Sequence, residues 1–168
     1  EVERLEKILS NVMDFTRLDT YIKEYHSIND VAEDTYNLLK NLFQERKITA
    51  DIHLAEDLPL VKSDFNQLKQ VMLNLIQNAM DASGENGLVQ IETGLKDSKV
   101  YFAVKDTGKG ISPENIPKLF EPFFTTKTNG VGLGLAVCKK IITDHGGEIL
   151  ARNKEYGGAE FIVEFPVT

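Results

Sequence analysis

The chain has a single cysteine, Cys138, among 168 residues. One cysteine excludes an internal disulfide framework, and a reducing compartment fits. No apolar run approaches the roughly 20 residues of a membrane span. The opening stretch EVERLEKILS is not a signal peptide. An initial Met is also lacking, as expected of a piece of a longer protein. Basic residues are in deficit, with 19 Lys and Arg against 26 Asp and Glu and a net charge of −7. That balance argues against non-specific nucleic-acid binding. There is no internal repeat and no low-complexity tract. The phosphate-loop pattern G-x-x-x-x-G-K-[ST] is absent, which excludes that class. The glycines at 130, 132 and 134 run G-x-G-x-G, so the dinucleotide fingerprint G-x-G-x-x-G fails too.

What is present is an ordinary globular composition, 42% apolar and 27% charged. That predicts one domain with a sizeable core, with a short appendage. Residues 1–18 carry an apolar stripe at Val2, Leu5, Ile8, Leu9, Val12 and Phe15, which predicts a helix. KEYHS predicts a short strand. Ser27 caps a helix running to about Arg46. ITADIHL alternates as a strand, and DLPLV is expected to be a connection. Asp64 caps a helix over 65–83, which SGENG ends. LVQIETGL and KVYFAVK predict a hairpin around KDS. A long segment from 106 to 131 follows, with a short helix expected near Ile116 to Phe120. Loops of that length are usually functional. A helix over 132–145 and the strands EILARN and AEFIVEF complete the order. Helices and strands mix without strict alternation. The expected fold is a two-layer α/β sandwich, with a mixed sheet of about five strands on about three helices.

Four segments carry chemistry, each with a plainer alternative. On the helix over 65–83, Asn74 and Asn78 are four residues apart and share one face. Their carboxamide oxygens can complete a hydrated Mg²⁺ shell, or they can be core amides bonded to backbone. In VKDTGKGIS, Asp106 ends a strand, and Gly108 and Gly110 permit close backbone approach to a flat ligand. A simple Asp-Thr-Gly turn is the alternative. In LFEPFFTTK, Phe120, Phe123 and Phe124 give a loop an apolar foot or form a satellite core cluster. In TTKTNGVGLGLAVCKKI, Gly130, Gly132 and Gly134 open a helix whose free N–H groups suit an anion, with Lys127 just upstream. A flexible loop packed closely through its glycines is the other possibility.

Taken in order, N-x-x-x-N, D-x-G-x-G, F-x-P-F and G-x-G-x-G resemble one family. The chain is similar to the catalytic and ATP-binding domain of bacterial two-component sensor histidine kinases. That domain shares its fold with the ATP-binding part of DNA gyrase, the mismatch-repair ATPase MutL and the ninety-kilodalton heat-shock chaperone. The resemblance covers roughly residues 24–166, including the terminal GGAEFIVEFP.

The resemblance implies ATP and Mg²⁺ as ligands. Asp106 would accept from the adenine amino group, with Gly108, Gly110 and Ile111 beside the base. Asn78 would be the main Mg²⁺ ligand and Asn74 would assist. A lid over about 111–131 would rest on its phenylalanines, Phe120 among them. Thr126, Lys127, Gly130, Val131, Gly132, Leu133, Gly134 and Leu135 would gather around the phosphates. Asn74, Asn78 and Lys127 would form the catalytic set. Gyrase, chaperone and MutL relatives carry Glu at the place of Asn74, where it activates water. Asn cannot take a proton, which favours transfer to a neutral imidazole. Residues 1–20 resemble the end of the second dimerisation and phosphoacceptor helix, and 21–168 the catalytic domain.

The acceptor histidine motif is missing, so autophosphorylation by this piece alone is not expected. His26, His53 and His145 are expected to be structural or solvent-facing. Partners implied are the phosphoacceptor hairpin and a cognate response regulator, not nucleic acid. A homodimer is implied for the full-length protein, with the isolated domain monomeric. The domain would be cytoplasmic, in a parent either membrane-anchored or soluble. Asp81 departs from the basic residue common there in histidine kinases, and is expected to be a solvent-facing or cap-related charge. It leaves open an ATPase clamp of the gyrase or chaperone type. A nucleotide-binding sensor without catalysis is the third reading.

Overall fold

The computed structural model describes residues 2–16, 21–127 and 132–167. Helix α1 spans Val2–Thr16. A short strand β1, Glu24–His26, precedes helix α2, Ile28–Glu45. The Ser27 hydroxyl accepts from the Asn29 amide at 3.2 Å and starts α2 as its N-cap. Strand β2 is Thr49–Leu54 and strand β3 is Val61–Ser63. Helix α3, Phe65–Ser83, is capped by Asp64, whose Oδ1 accepts from the Gln67 amide at 3.1 Å. Gly84, at φ 68°, ends it. Strands β4, Leu88–Lys96, and β5, Lys99–Asp106, form a hairpin. Its two turn residues, Asp97 and Ser98, both have positive φ (52° and 60°), the geometry that matches strand twist. A 3₁₀ segment, Pro113–Lys118, leads to helix α4, Gly134–Asp144, and strands β6, Glu148–Asn153, and β7, Ala159–Pro166.

The main sheet has the order β2-β4-β5-β7-β6. β2 and β4 are parallel and the other pairs antiparallel. Helices α2, α3 and α4 cover one face, with α3 between the other two. Leu75 and Ile76 of α3 are wholly buried. The strands supply alternate residues to this core: Val89 and Ile91, then Val100, Phe102 and Val104, then Phe161, Val163 and Phe165. That period of two places Asp106 in phase with Val104, on the helix side. The other face is open and charged. A groove there is lined by four acids, Glu92, Asp97, Glu160 and Glu164, and four bases, Lys96, Lys99, Lys105 and Arg152. Tyr101 donates to Glu92 at 2.7 Å, and this bond, then burial, pushes its phenol up to about 12. Among the described residues, no helix is long and apolar enough to cross a membrane.

The expected sandwich is therefore the observed fold. Two local expectations change. DLPLV is not only a connection, because Val61–Ser63 pairs antiparallel with Glu24–His26. The short helix sits at Pro113–Lys118, earlier than Ile116 to Phe120, and is 3₁₀. Pro113 and Pro117 lack the N–H that an α-helix would use. The side chain of Phe15 and residues 17–20 lie outside the described residues.

Candidate functional site

Asp106 ends β5 and is 3% exposed. Its Oδ1 accepts from the Gly108 amide at 2.9 Å and from the Ala159 amide at 3.1 Å. Oδ2 takes no hydrogen bond among the described residues. The carboxylate is thus anchored on one oxygen and open on the other. A Cβ on Gly108 would lie 2.5 Å from the Ala82 carbonyl oxygen of α3, so glycine is required by close packing there. Gly110 is at φ 81°. Ile111, beyond it, is braced by Asn153, which accepts from the Ile111 amide and donates to its carbonyl, both at 2.7 Å. Sequence reading missed two supports of this corner. One is Asn153. The other is Gly158, at φ 82°, where any Cβ would collide with the Asp106 carbonyl. The pair Gly157-Gly158 just before a strand was the available signal.

Asn74 and Asn78 project from one side of α3, as their spacing predicts. A Cβ built on Gly134 would approach Asn74 Oδ1 at 3.8 Å, so Asn74 faces the first turn of α4. That helix begins without a side-chain cap bond, which leaves its first amides available to an anion. Cys138, one turn further, is fully buried; burial pushes its thiol up to about 12, against a smaller opposing effect of Asn74. It is a packing residue without thiolate reactivity.

Lys127 lies in the long segment between β5 and α4. Its Nζ donates to Asn78 Oδ1 and to Asp81 Oδ2, both at 2.8 Å. Arg46, the C-cap residue of α2, donates to Asp81 Oδ1 at 2.8 Å. Burial works against ionisation of Asp81, but the bonds from Lys127 and Arg46 outweigh it and hold the carboxyl below its ordinary range. Asp81 is solvent-facing, as expected, with its side chain 41% exposed, and it bridges two cations.

This segment packs on the sheet through Phe120, whose ring meets Phe161 edge-on with centroids 6.3 Å apart. The Phe123 amide donates to the Gly132 carbonyl at 2.8 Å and draws a neck across it. Gly132 has φ 80°, and a Cβ there would collide with the Phe123 backbone. Gly130 and Val131 lie outside the described residues.

A cavity of about 290 Å³ brings Asn74, Asn78, Thr126 and Lys127 together with the turn Gly132 to Leu135. Arg4, Lys7 and Ile8 of α1 and Asp81 also line it. Asp106, Gly108, Gly110, Ile111 and Phe120 do not. The expected site residues thus fall in two parts, one at the end of β5 and one between α3 and α4.

The three histidines are occupied elsewhere. His26 packs edge-on against Phe65, and His53 Nε2 lies 2.9 Å from Asp51. His145 Nε2 accepts from the Asp64 amide at 3.0 Å. Its proton therefore sits on Nδ1, 2.7 Å from the Ile141 carbonyl.

Comparison with known proteins identifies the family. Residues 63–168 match the family described as histidine kinase-, DNA gyrase B-, and HSP90-like ATPase. Sensor histidine kinase ZraS of Salmonella typhimurium is 36% identical over 99% of this chain, which spans 36% of that protein's length. Sporulation kinase E of Bacillus subtilis is 32% identical over 99% of the chain, which spans 23% of its length. The crystallised catalytic domain of histidine kinase ThkA superposes with a TM-score of 0.79 at 40% identity, covering 86% of this chain and 95% of that one. ThkA in complex with response regulator protein TrrA superposes at 0.86 with 33% identity, covering 99% and 48%. The chain belongs to the histidine kinase-, DNA gyrase B- and HSP90-like ATPase family, as a histidine kinase-type domain of the sensor kinases.

Proposed function

We propose that this domain binds ATP with Mg²⁺ and passes the γ-phosphoryl group to a histidine on a phosphoacceptor hairpin, for relay to a response-regulator aspartate. The donor set of the cavity carries the reading. It offers three carboxamides (Asn74, Gln77 and Asn78), three cations (Arg4, Lys7 and Lys127) and an uncapped helix start. Asp81 is the sole carboxylate among the described lining residues, and two cations hold it ionised. A carboxylate so held is a poor general base, and the carboxamide of Asn74 cannot take a proton. The site is therefore suited to hold a triphosphate without activating water. A neutral imidazole brings its own lone pair.

The residues fit the two ligands. The open Oδ2 of Asp106 suits an exocyclic amine donor, and glycine at 108 and 110 lets the backbone beside it pack closely on Ala82 and Asn153. No group of three His, Cys, Asp or Glu among the described residues can hold a metal. A cation here would be shared between the Asn78 carboxamide, assisted by Asn74, and phosphate oxygens, which suits Mg²⁺. Asn78 Oδ1 already accepts from an ammonium, so its dipole faces positive charge. Bound Mg²⁺ would supply neutralisation of phosphate charge. Lys127, Thr126 and the turn at Gly132 to Leu135, with Gly130 and Val131, would orient the phosphates, and the lid would exclude water.

Residues 1–20 are assigned to the end of a dimerisation and phosphoacceptor helix. The exposed apolar stripe Val2, Leu5, Leu9 and Met13 supports this, since such a stripe suits a partner helix. It supports a homodimer in the longer protein. The partner seen with ThkA supports a response regulator as the downstream acceptor.

The test supplies labelled ATP, Mg²⁺ and the parent protein's phosphoacceptor hairpin as a separate chain. The expected product is phosphohistidine on the hairpin and none on this chain. Release of free phosphate at the same rate without the hairpin would replace this reading with an ATPase clamp. Tight nucleotide binding with neither product would leave a sensor without catalysis.

A further inference from the structure

Helix α1 has two different sides. Leu5, Leu9 and Met13, each four residues apart, share one side and are exposed. Arg4, Lys7 and Ile8, three and four apart, share the opposite side and line the same cavity as Asn74, Asn78 and Lys127. Ile8 is half-buried and Arg4 and Lys7 are exposed, so the apolar residue seats the helix while the two cations stay wetted. α1 also packs on α4, the helix whose start frames the cavity.

The charges around the cavity do not balance in a neutral way. Lys127 is compensated by Asp81, and Asp81 is shared with Arg46. Arg4 and Lys7 make no ion pair among the described residues. Two uncompensated cations on the wall of a cavity that also offers Lys127 and an uncapped helix start favour a ligand with several negative charges.

We propose that Arg4 and Lys7 are phosphate-binding residues of the nucleotide site, supplied by α1 rather than by the catalytic body. This rests on the nucleotide reading above. The polyphosphate is then held from two sides, by α3, α4 and the lid on one and by α1 on the other. Nucleotide binding and the docking of α1 become one linked equilibrium: each favours the other by the same factor. A kinase that must swing its catalytic body relative to this helix would do so against that link, and more readily once the phosphates have been shortened.

The experiment compares ATP and adenosine binding by calorimetry, with Mg²⁺, for the whole chain and for the double variant Arg4→Gln, Lys7→Gln. The expected result is ATP affinity about tenfold weaker in the variant, with adenosine affinity unchanged. The swap Arg4→Lys, Lys7→Arg should keep most of the ATP affinity. Added salt should weaken ATP binding more steeply in the unmodified chain than in the glutamine variant. Equal ATP affinity in the unmodified chain and the glutamine variant overturns the inference and leaves the nucleotide reading standing. An equal loss for adenosine and ATP also overturns it, because the effect is then not on phosphate. If the unmodified chain binds no ATP, the nucleotide reading falls and the inference falls with it.

Discussion

Lys127 Nζ lies 2.8 Å from Oδ1 of Asn78, so the lid and helix α3 meet through the atom assigned to Mg²⁺. The same ammonium reaches Asp81 at 2.8 Å. The lysine thus engages the same carboxamide oxygen that is assigned to the metal ion.

Asp81→Asn removes the stronger attraction on Lys127 and frees it for phosphate oxygens. Partly exposed pairs contribute under about 1 kcal/mol, so the expected gain in ATP affinity is about threefold. Calorimetric titration with and without Mg²⁺ reads it. Weaker binding in this variant would show that Asp81 helps the nucleotide rather than competing with it.

Asp106→Asn preserves an acceptor for the Gly108 and Ala159 amides while turning the open position into a donor. The new side-chain NH₂ and the adenine amino group, both donors, then face each other. The expected loss in adenine-nucleotide affinity is about 30-fold, on the order of 2 kcal/mol, with little change in melting temperature. Near-unchanged affinity would refute the assignment.

Gly158→Ala places a side chain at φ 82° and against the Asp106 carbonyl. A cost of about 1–3 kcal/mol follows, together with weaker nucleotide binding as Asp106 is displaced. Thermal melting checks the first and titration the second. A melting temperature equal to that of the unmodified chain would mean the backbone relaxes without strain.

His145 gives a pH dependence. Burial pushes its pKa below 6.5; the Ile141 carbonyl, Asp64 and Asp144 oppose this and Lys23 reinforces it. The neutral ring accepts from the Asp64 amide, a bond that protonation ends. The stability it contributes is complete above about pH 6.5, the unfolded value, and is lost as pH falls through the lower folded value. His145→Gln keeps an acceptor that does not titrate. Between pH 7.5 and pH 5, the melting temperature of the unmodified chain should fall more than that of the variant. Parallel curves would exclude this contribution.

The sheet strands, the capped helices and both halves of the site are legible in sequence because each is a local pattern. Ser27 and Asp64 announce α2 and α3, alternation announces β4, β5 and β7, and the spacing of Asn74 and Asn78 gives a shared face. What stays hidden depends on contacts between distant segments. Val61–Ser63 is a strand only because β1 lies beside it. Asn153 serves Ile111 across 42 positions of sequence. Asp81's partners are distant in sequence: Arg46, just past the end of α2, and Lys127 before α4. The hairpin turn at Asp97 and Ser98 is legible without glycine as a guide, since short polar residues tolerate the left-handed region.

The open face of the sheet has a colloidal consequence. Its four acids and four bases cancel, so the chain's net −7 is carried elsewhere. Two copies can meet on this face. Sheet side to sheet side, they meet a wetted mosaic of alternating sign, such as Lys105 between Glu92 and Glu160. That surface neither pushes a second copy away nor offers it much apolar area to bury, so stacking gains little there.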